Sequence, residues 1–268
     1  MSSDSIEHQT LQYAQIAHDA FRDIASFFRS LPDDAWDGPT GCELWTQHDL
    51  AGHIVGEAVY FARLTRGVTE DRPRYPDELW SQLKKLPGMV IADTIGGAGT
   101  DLLDAVRAAR PQDLGESVDL GWIRWPLWRG LYVGMFEAVF HNWDAHVGRD
   151  PAAVIPSEWA VPLAGGLLPM AQALADAVAA EENAGVYVLH VGDGVGPVIV
   201  DARLDGVEIK EGNAGRAEVK LELTPDQYAR LIAGRLPLAA AIDEGAVKVE
   251  GDAQRAVALN AIFPGVGG

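Results

Sequence analysis

The chain has 268 residues, enough for one large or two ordinary domains, and at 48% hydrophobic residues it can bury a substantial core. Its formal net charge of −18 argues against a nucleic-acid partner, which requires a basic face, and against an anionic membrane surface. A lone cysteine, Cys42, excludes an internal disulfide framework and points to a reducing, cytoplasmic setting.

The N-terminus carries neither the basic nor the apolar region of a signal peptide, and no apolar run of about 18 residues occurs. Small molecules are therefore the expected partners, with no nucleic acid and no membrane, for a monomer or homodimer. Residues 5–30 predict a first helix, with Leu11, Ala14, Ala17, Phe21, Ile24 and Phe28 at helical spacing. Residues 31–45 predict a loop in which Trp36 and Trp45 cap the core. Cys42 in that loop reads as a buried structural thiol, because no base lies beside it in sequence.

Thr46 and Asp49 form a capping box that opens a second helix running to about residue 66. His53 lies on its apolar side between Gly52 and Gly56, small residues that let another helix or a ligand come close. His48 is five residues away and cannot share that face. Residues 69–78 predict a polar loop and 78–85 a short helix. The Gly96, Gly97, Gly99 cluster predicts a break, with a third helix over 100–110. Residues 111–127 predict a loop in which Trp122, Trp125 and Trp128 either pack or wall a pocket. Arg124 and Arg129 are candidate partners for an anionic ligand.

A long helix is predicted over 128–150. Glu137 and His141 are four apart and project from one face of it, half of a divalent-metal site in a bundle. Asp144 can support His141 from the same side, whereas His146 points elsewhere. An i,i+4 pair can also do no more than stabilise a helix surface, and on the pair alone that alternative stays open. After a helix over 157–182 the texture changes. Strands are predicted over 186–190, 197–204, 217–223 and 246–249, with helices over 225–233 and from 251 to about 262. The predicted division is a helix bundle over 1–183 and a small α+β domain over 184–268.

Three separated segments together resemble a known family. Residues 39–57 (PTGCELWTQHDLAGHIVGE) resemble the first signature of the mycothiol-dependent maleylpyruvate isomerases, and residues 137–146 (EAVFHNWDAH) the second. Residues 223–256 resemble the sterol-carrier-like domain often fused to them. The resemblance implies a DinB-like four-helix bundle followed by a sterol-carrier-like α+β domain. It implies that His53, Glu137 and His141 bind one divalent metal, usually zinc, with mycothiol as the thiol cofactor. The thiolate would add to an activated double bond, permit rotation and leave. An arginine of the C-terminal domain helps the family's active site, and Arg235 is the positional match here. Arg235 is thus the expected catalytic cation and, with Trp125, the expected contact of the thiol, in a site expected where the domains meet. The implied reaction is isomerisation or S-transfer on a small electrophile. Two alternatives remain: a hydrolase that uses the metal to activate water, and a non-catalytic carrier of a hydrophobic ligand.

Overall fold

The computed structural model describes residues 3–68 and 75–265. The chain divides into two compact units between Val154 and Ile155.

The first unit is a four-helix bundle. Helix α1 (Ser3–Ser30) buries Tyr13, Ala17, Phe21, Ile24 and Phe28 along one stripe. Helix α2 (Gln47–Thr65) is followed by the short α3 (Tyr75–Leu83) and by α4 (Gly88–Ala108). Strands β1 (Ser117–Asp119) and β2 (Arg124–Pro126) pair as a small antiparallel hairpin ahead of α5 (Leu127–Val147). Helices α4 and α5 each pack against both α1 and α2, so α1 faces α2 across the bundle's diagonal.

Three expectations change here. The helix expected at 100–110 begins at Gly88 and runs straight through the glycines, because Ile91, Ile95, Leu102 and Val106 bury along its face. Tertiary packing of that stripe outweighs the roughly 1 kcal/mol that each interior glycine costs. At Gly99 a Cβ would lie 2.8 Å from Cβ of Phe21, so the glycine lets α1 approach closely. The loop expected over 111–127 contains the hairpin. Of the loop expected over 69–78, residues 69–74 lie outside the described residues, and α3 begins at Tyr75.

The capping box is present as expected. The Asp49 amide donates to Thr46 Oγ1 (3.1 Å) and the Thr46 amide donates to Asp49 Oδ2 (3.2 Å). Asp49→Ala should therefore cost about 0.5–2 kcal/mol in urea unfolding, as cap losses do. Its metal content by elemental analysis should match wild type, since the carboxylate is committed to the cap.

The second unit begins with α6 (Ser157–Gly166), α7 (Leu168–Leu174) and α8 (Ala177–Glu182), three short helices where one was expected. Strands β3 (Gly185–Val191), β4 (Gly196–Arg203), β5 (Gly206–Glu211) and β6 (Val219–Leu223) follow. Helices α9 (Pro225–Ile232) and α10 (Leu238–Asp243), strand β7 (Lys248–Gly251), and helices α11 (Ala253–Val257) and α12 (Leu259–Ile262) complete it. The sheet order is β5-β4-β3-β6-β7, antiparallel throughout except for the β3–β6 pair. The parallel pair joins the three-stranded β3–β4–β5 meander to the antiparallel β6–β7 pair, and Tyr187, Leu189, Val200, Val219 and Leu221 are buried along the strands. The observed division lies ahead of the expected 183/184 because α6–α8 pack on this unit: α6 against α9, α7 and α8 against β5.

Candidate metal centre

Helix packing builds the site. Gly134 of α5 meets the Phe61 ring of α2, where a Cβ would stand 3.0 Å from the ring, so the two helices come close. That approach sets His53 of α2 against Glu137 and His141 of α5. Glu137 Oε2 lies 3.0 Å from His141 Nε2 and 3.7 Å from His53 Nε2. The donor atoms of these three residues all lie within 4.8 Å of one another. Ligand bonds of about 2.0–2.2 Å in a tetrahedral site place donor atoms roughly 3.4 Å apart, so the trio fits one divalent ion. Two imidazoles and a carboxylate are also a donor set suited to zinc, with a coordination position left over. The side chains of His53 and Glu137 remain 18% and 23% exposed, although the His53 Nε2 atom itself is buried.

The other face of the His141 ring is tied down. Its Nδ1–H donates to Asp144 Oδ2 at 2.9 Å, and Asp144 is fully buried. This carboxylate–histidine pairing fixes the ring orientation and leaves Nε2 facing Glu137 and His53. The Cys42 thiol donates to the same Asp144 oxygen at 3.2 Å.

Electrostatics bind the group together without a metal. Burial opposes ionisation of Glu137, but the hydrogen bond from His141 and the His53 imidazole 3.7 Å away outweigh it and hold the carboxyl below the usual carboxylate range. Burial likewise opposes the His141 imidazolium. Its bonds to Asp144, Cys42 and Glu137 outweigh that and hold the imidazole well above its usual range.

The aromatic wall comes from residues that spacing did not single out. Trp45 lies 4.6 Å from the His53 ring and 5.7 Å from the His141 ring, so it covers the imidazoles instead of capping the core. Trp80 of α3 packs on Trp45 at 5.2 Å, and its Nε1–H donates to the Asp49 carbonyl. Gly52 makes room for it: a Cβ there would meet Trp80 Cδ1 at 3.0 Å. Only the fold brings Trp80 here, and no sequence signal joined it to His53.

Among the known proteins compared, the mycothiol maleylpyruvate isomerase N-terminal domain family matches residues 17–146, a stretch that contains Trp45, His53, Glu137, His141 and Asp144. The bundle belongs to that family. The SCP-2 sterol transfer family matches residues 169–264, so an SCP-2 domain follows the bundle. Its fold is similar to the crystal structure of the mycothiol-dependent maleylpyruvate isomerase, with 16% identity and a TM-score of 0.59 over 85% of this chain and 89% of that one. A histidine-to-alanine variant of that isomerase aligns with 16% identity and a TM-score of 0.58, over the same shares of both chains. Sterol carrier protein 2 from Yarrowia lipolytica aligns with 38% of this chain and 88% of its own, at 20% identity and a TM-score of 0.32. No curated protein matches the chain.

Of the other expected site residues, Trp125 lies on the hairpin ahead of α5 and Arg235 in the second unit. Trp125 is on β2, and the ten residues of α5 between Leu127 and Glu137 rise about 15 Å. It packs against Trp122 at 5.8 Å, with the Arg129 guanidinium 6.0 Å from its ring. Arg124 is paired with Asp119 at 2.8 Å. Arg235, within the SCP-2 match, follows α9, and its amide donates to the Arg230 carbonyl at 2.7 Å. His48 bonds the Leu86 carbonyl and His146 bonds Asp23, so neither joins the centre.

Proposed function

We propose that this protein is a metal-dependent enzyme that uses mycothiol as cofactor or co-substrate to isomerise, or transfer sulfur to, a small electrophilic and anionic substrate. The observation that carries the reading is the convergence of His53, Glu137 and His141 within a bundle of this family. These three residues would hold the ion, proposed to be zinc. When bound, the metal would supply positive charge that keeps a thiol anionic near neutral pH, and the thiol would supply a nucleophile that is regenerated. Trp45 and Trp80 shield the centre from bulk water, which strengthens electrostatic interactions beside it. Asp144 retains the Nδ1 proton of His141 and keeps Nε2 available. Arg235 is proposed as the cation that meets a substrate or cofactor carboxylate, because a planar guanidinium bonds carboxylates with two parallel hydrogen bonds. Trp125 is proposed to contact the thiol cofactor, and the protein to act in the cytoplasm.

The test is turnover of maleylpyruvate by zinc-loaded protein with and without mycothiol. The expected result is activity only when both metal and thiol are present. Activity that needs metal but no thiol would favour the hydrolase alternative, and protein that holds no metal would favour a carrier. Arg235→Ala is expected to lower kcat/KM by about 10–100-fold, the worth of one charged hydrogen bond of roughly 1.5–3 kcal/mol. Arg235→Lys should recover part of that loss, and unchanged turnover in both would remove Arg235 from the mechanism.

A further inference from the structure

Two donors converge on a single buried oxygen beside the metal trio. Asp144 Oδ2 accepts from the His141 ring at 2.9 Å and from the Cys42 thiol at 3.2 Å. Asp144 is fully buried and Cys42 is 2% exposed, so neither side chain meets a substrate directly. A buried carboxylate requires hydrogen-bond donors, and each one missing is costly. Cys42 is itself held. Its amide donates to Thr40 Oγ1, and the Thr40 hydroxyl lies 3.0 Å from both the Cys42 and the Trp45 carbonyls. Next to it the Gly41 amide donates to the Asp144 carbonyl at 2.7 Å, and a Cβ at Gly41 would stand 2.2 Å from Asp144 Oδ1. The loop thus grips Asp144 at both its backbone and its carboxylate.

We propose that Cys42 is a positioning residue for the metal centre: through Asp144 it sets the orientation of the His141 ring and so the presentation of Nε2. The proposal rests on the reading of His53, Glu137 and His141 as the ligands. It gives the chain's one cysteine a role that is neither nucleophile nor ligand. The 2.9 Å between His141 Nδ1 and Asp144 Oδ2 is a hydrogen-bond length. The pair is therefore described by a shared hydrogen, and the thiol completes the shell of the same oxygen.

Zinc affinity, measured by competition with a chromophoric chelator, tests this. Asp144→Asn is expected to weaken binding about 10–100-fold and Cys42→Ala about 10-fold, the scale of losses in groups that orient metal ligands. Cys42→Ser keeps a donor and should stay within about 3-fold of wild type, with turnover retained. Because Cys42 acts through Asp144, adding Cys42→Ala to Asp144→Asn should cause no further loss, whereas independent effects would multiply. Thermal unfolding of the metal-free proteins separates packing from positioning. If Cys42→Ala does not fold, Cys42→Val, which leaves no void and removes the donor, takes its place. Wild-type affinity in Cys42→Ala or Cys42→Val, or multiplied losses in the double variant, would overturn the inference while zinc still depends on His53. A wild type that binds no zinc would overturn the ligand assignment itself, and this inference with it.

Discussion

The purified protein is expected to hold about one divalent metal per chain, and His53→Ala and His141→Ala are each expected to lose it. Three protein donors are the minimum seen in catalytic zinc sites. Removing one leaves a two-donor remnant, and the affinity loss should exceed the roughly 10–100-fold that follows loss of an orienting partner. The fold should survive, because His53 is 18% exposed and neither His53 nor His141 is among the apolar side chains that fill the bundle. Elemental analysis together with circular dichroism checks both statements. Equal metal content in wild type and both variants would sink the assignment.

Metal uptake should also depend on pH with a definite sign. In the metal-free fold His141 is held protonated well above the ordinary imidazole range of about 6.5. A group with a raised folded-state pKa stabilises the fold fully below its unfolded pKa, and that contribution disappears as pH rises through the folded value. Metal-free protein should therefore lose stability as pH climbs above about 6.5. The ion must displace the same proton, so apparent zinc affinity should rise over the same interval. Titration calorimetry in buffers of different ionisation enthalpy would register the released proton. Glu137, held low, behaves oppositely: its contribution is present above the ordinary carboxylate range and is lost only as pH falls through its depressed value.

Gly148→Ala is expected to destabilise the protein by about 2–3 kcal/mol, at the upper end of what forced overpacking costs. Gly148 has right-handed helical angles (φ −61°), so it is not a left-handed helix cap and alanine meets no backbone strain. The obstacle is contact. A Cβ would lie 2.0 Å from the Pro39 carbonyl oxygen and 2.9 Å from Cα of Thr40. Those are backbone atoms of the loop that bears Cys42 and Trp45, and they cannot rotate away. The loop is also clamped beside that point, since the Gln47 side-chain Nε2 donates to both the Pro39 carbonyl (2.8 Å) and the Ala145 carbonyl (2.9 Å). Pushing it off α5 would disturb Cys42, Asp144 and Trp45 together, so zinc affinity should fall along with the urea midpoint. A variant as stable as wild type would show that the loop can shift without cost.

Local patterns in the sequence determined a good deal of this protein. Capping chemistry needs only residues three apart, so Thr46 and Asp49 located the start of α2. Helical periodicity placed Glu137, His141 and Asp144 on neighbouring turns of α5, and their mutual contacts followed from spacing alone. The strands β3, β4 and β6 were legible from their β-branched runs, whereas β5, with its charged residues, was not.

What remained depended on residues far apart in the chain. The glycines of α4 read as a break because propensity is local, and the burial that overrides it arises only against α1 and α2. His53 could be matched to Glu137 by resemblance, but their 3.7 Å separation exists only because α2 and α5 pack together. Cys42 had no base beside it in sequence, yet it lies 3.2 Å from a carboxylate 102 positions later. Trp80 reaches the centre through the space left at Gly52, and no periodic signal encodes such a vacancy. Spacing along one element fixes which side chains share a face. Which faces meet is settled by burial and close packing between elements, and the metal centre, its tryptophan wall and the grip on Asp144 all lie at such meetings.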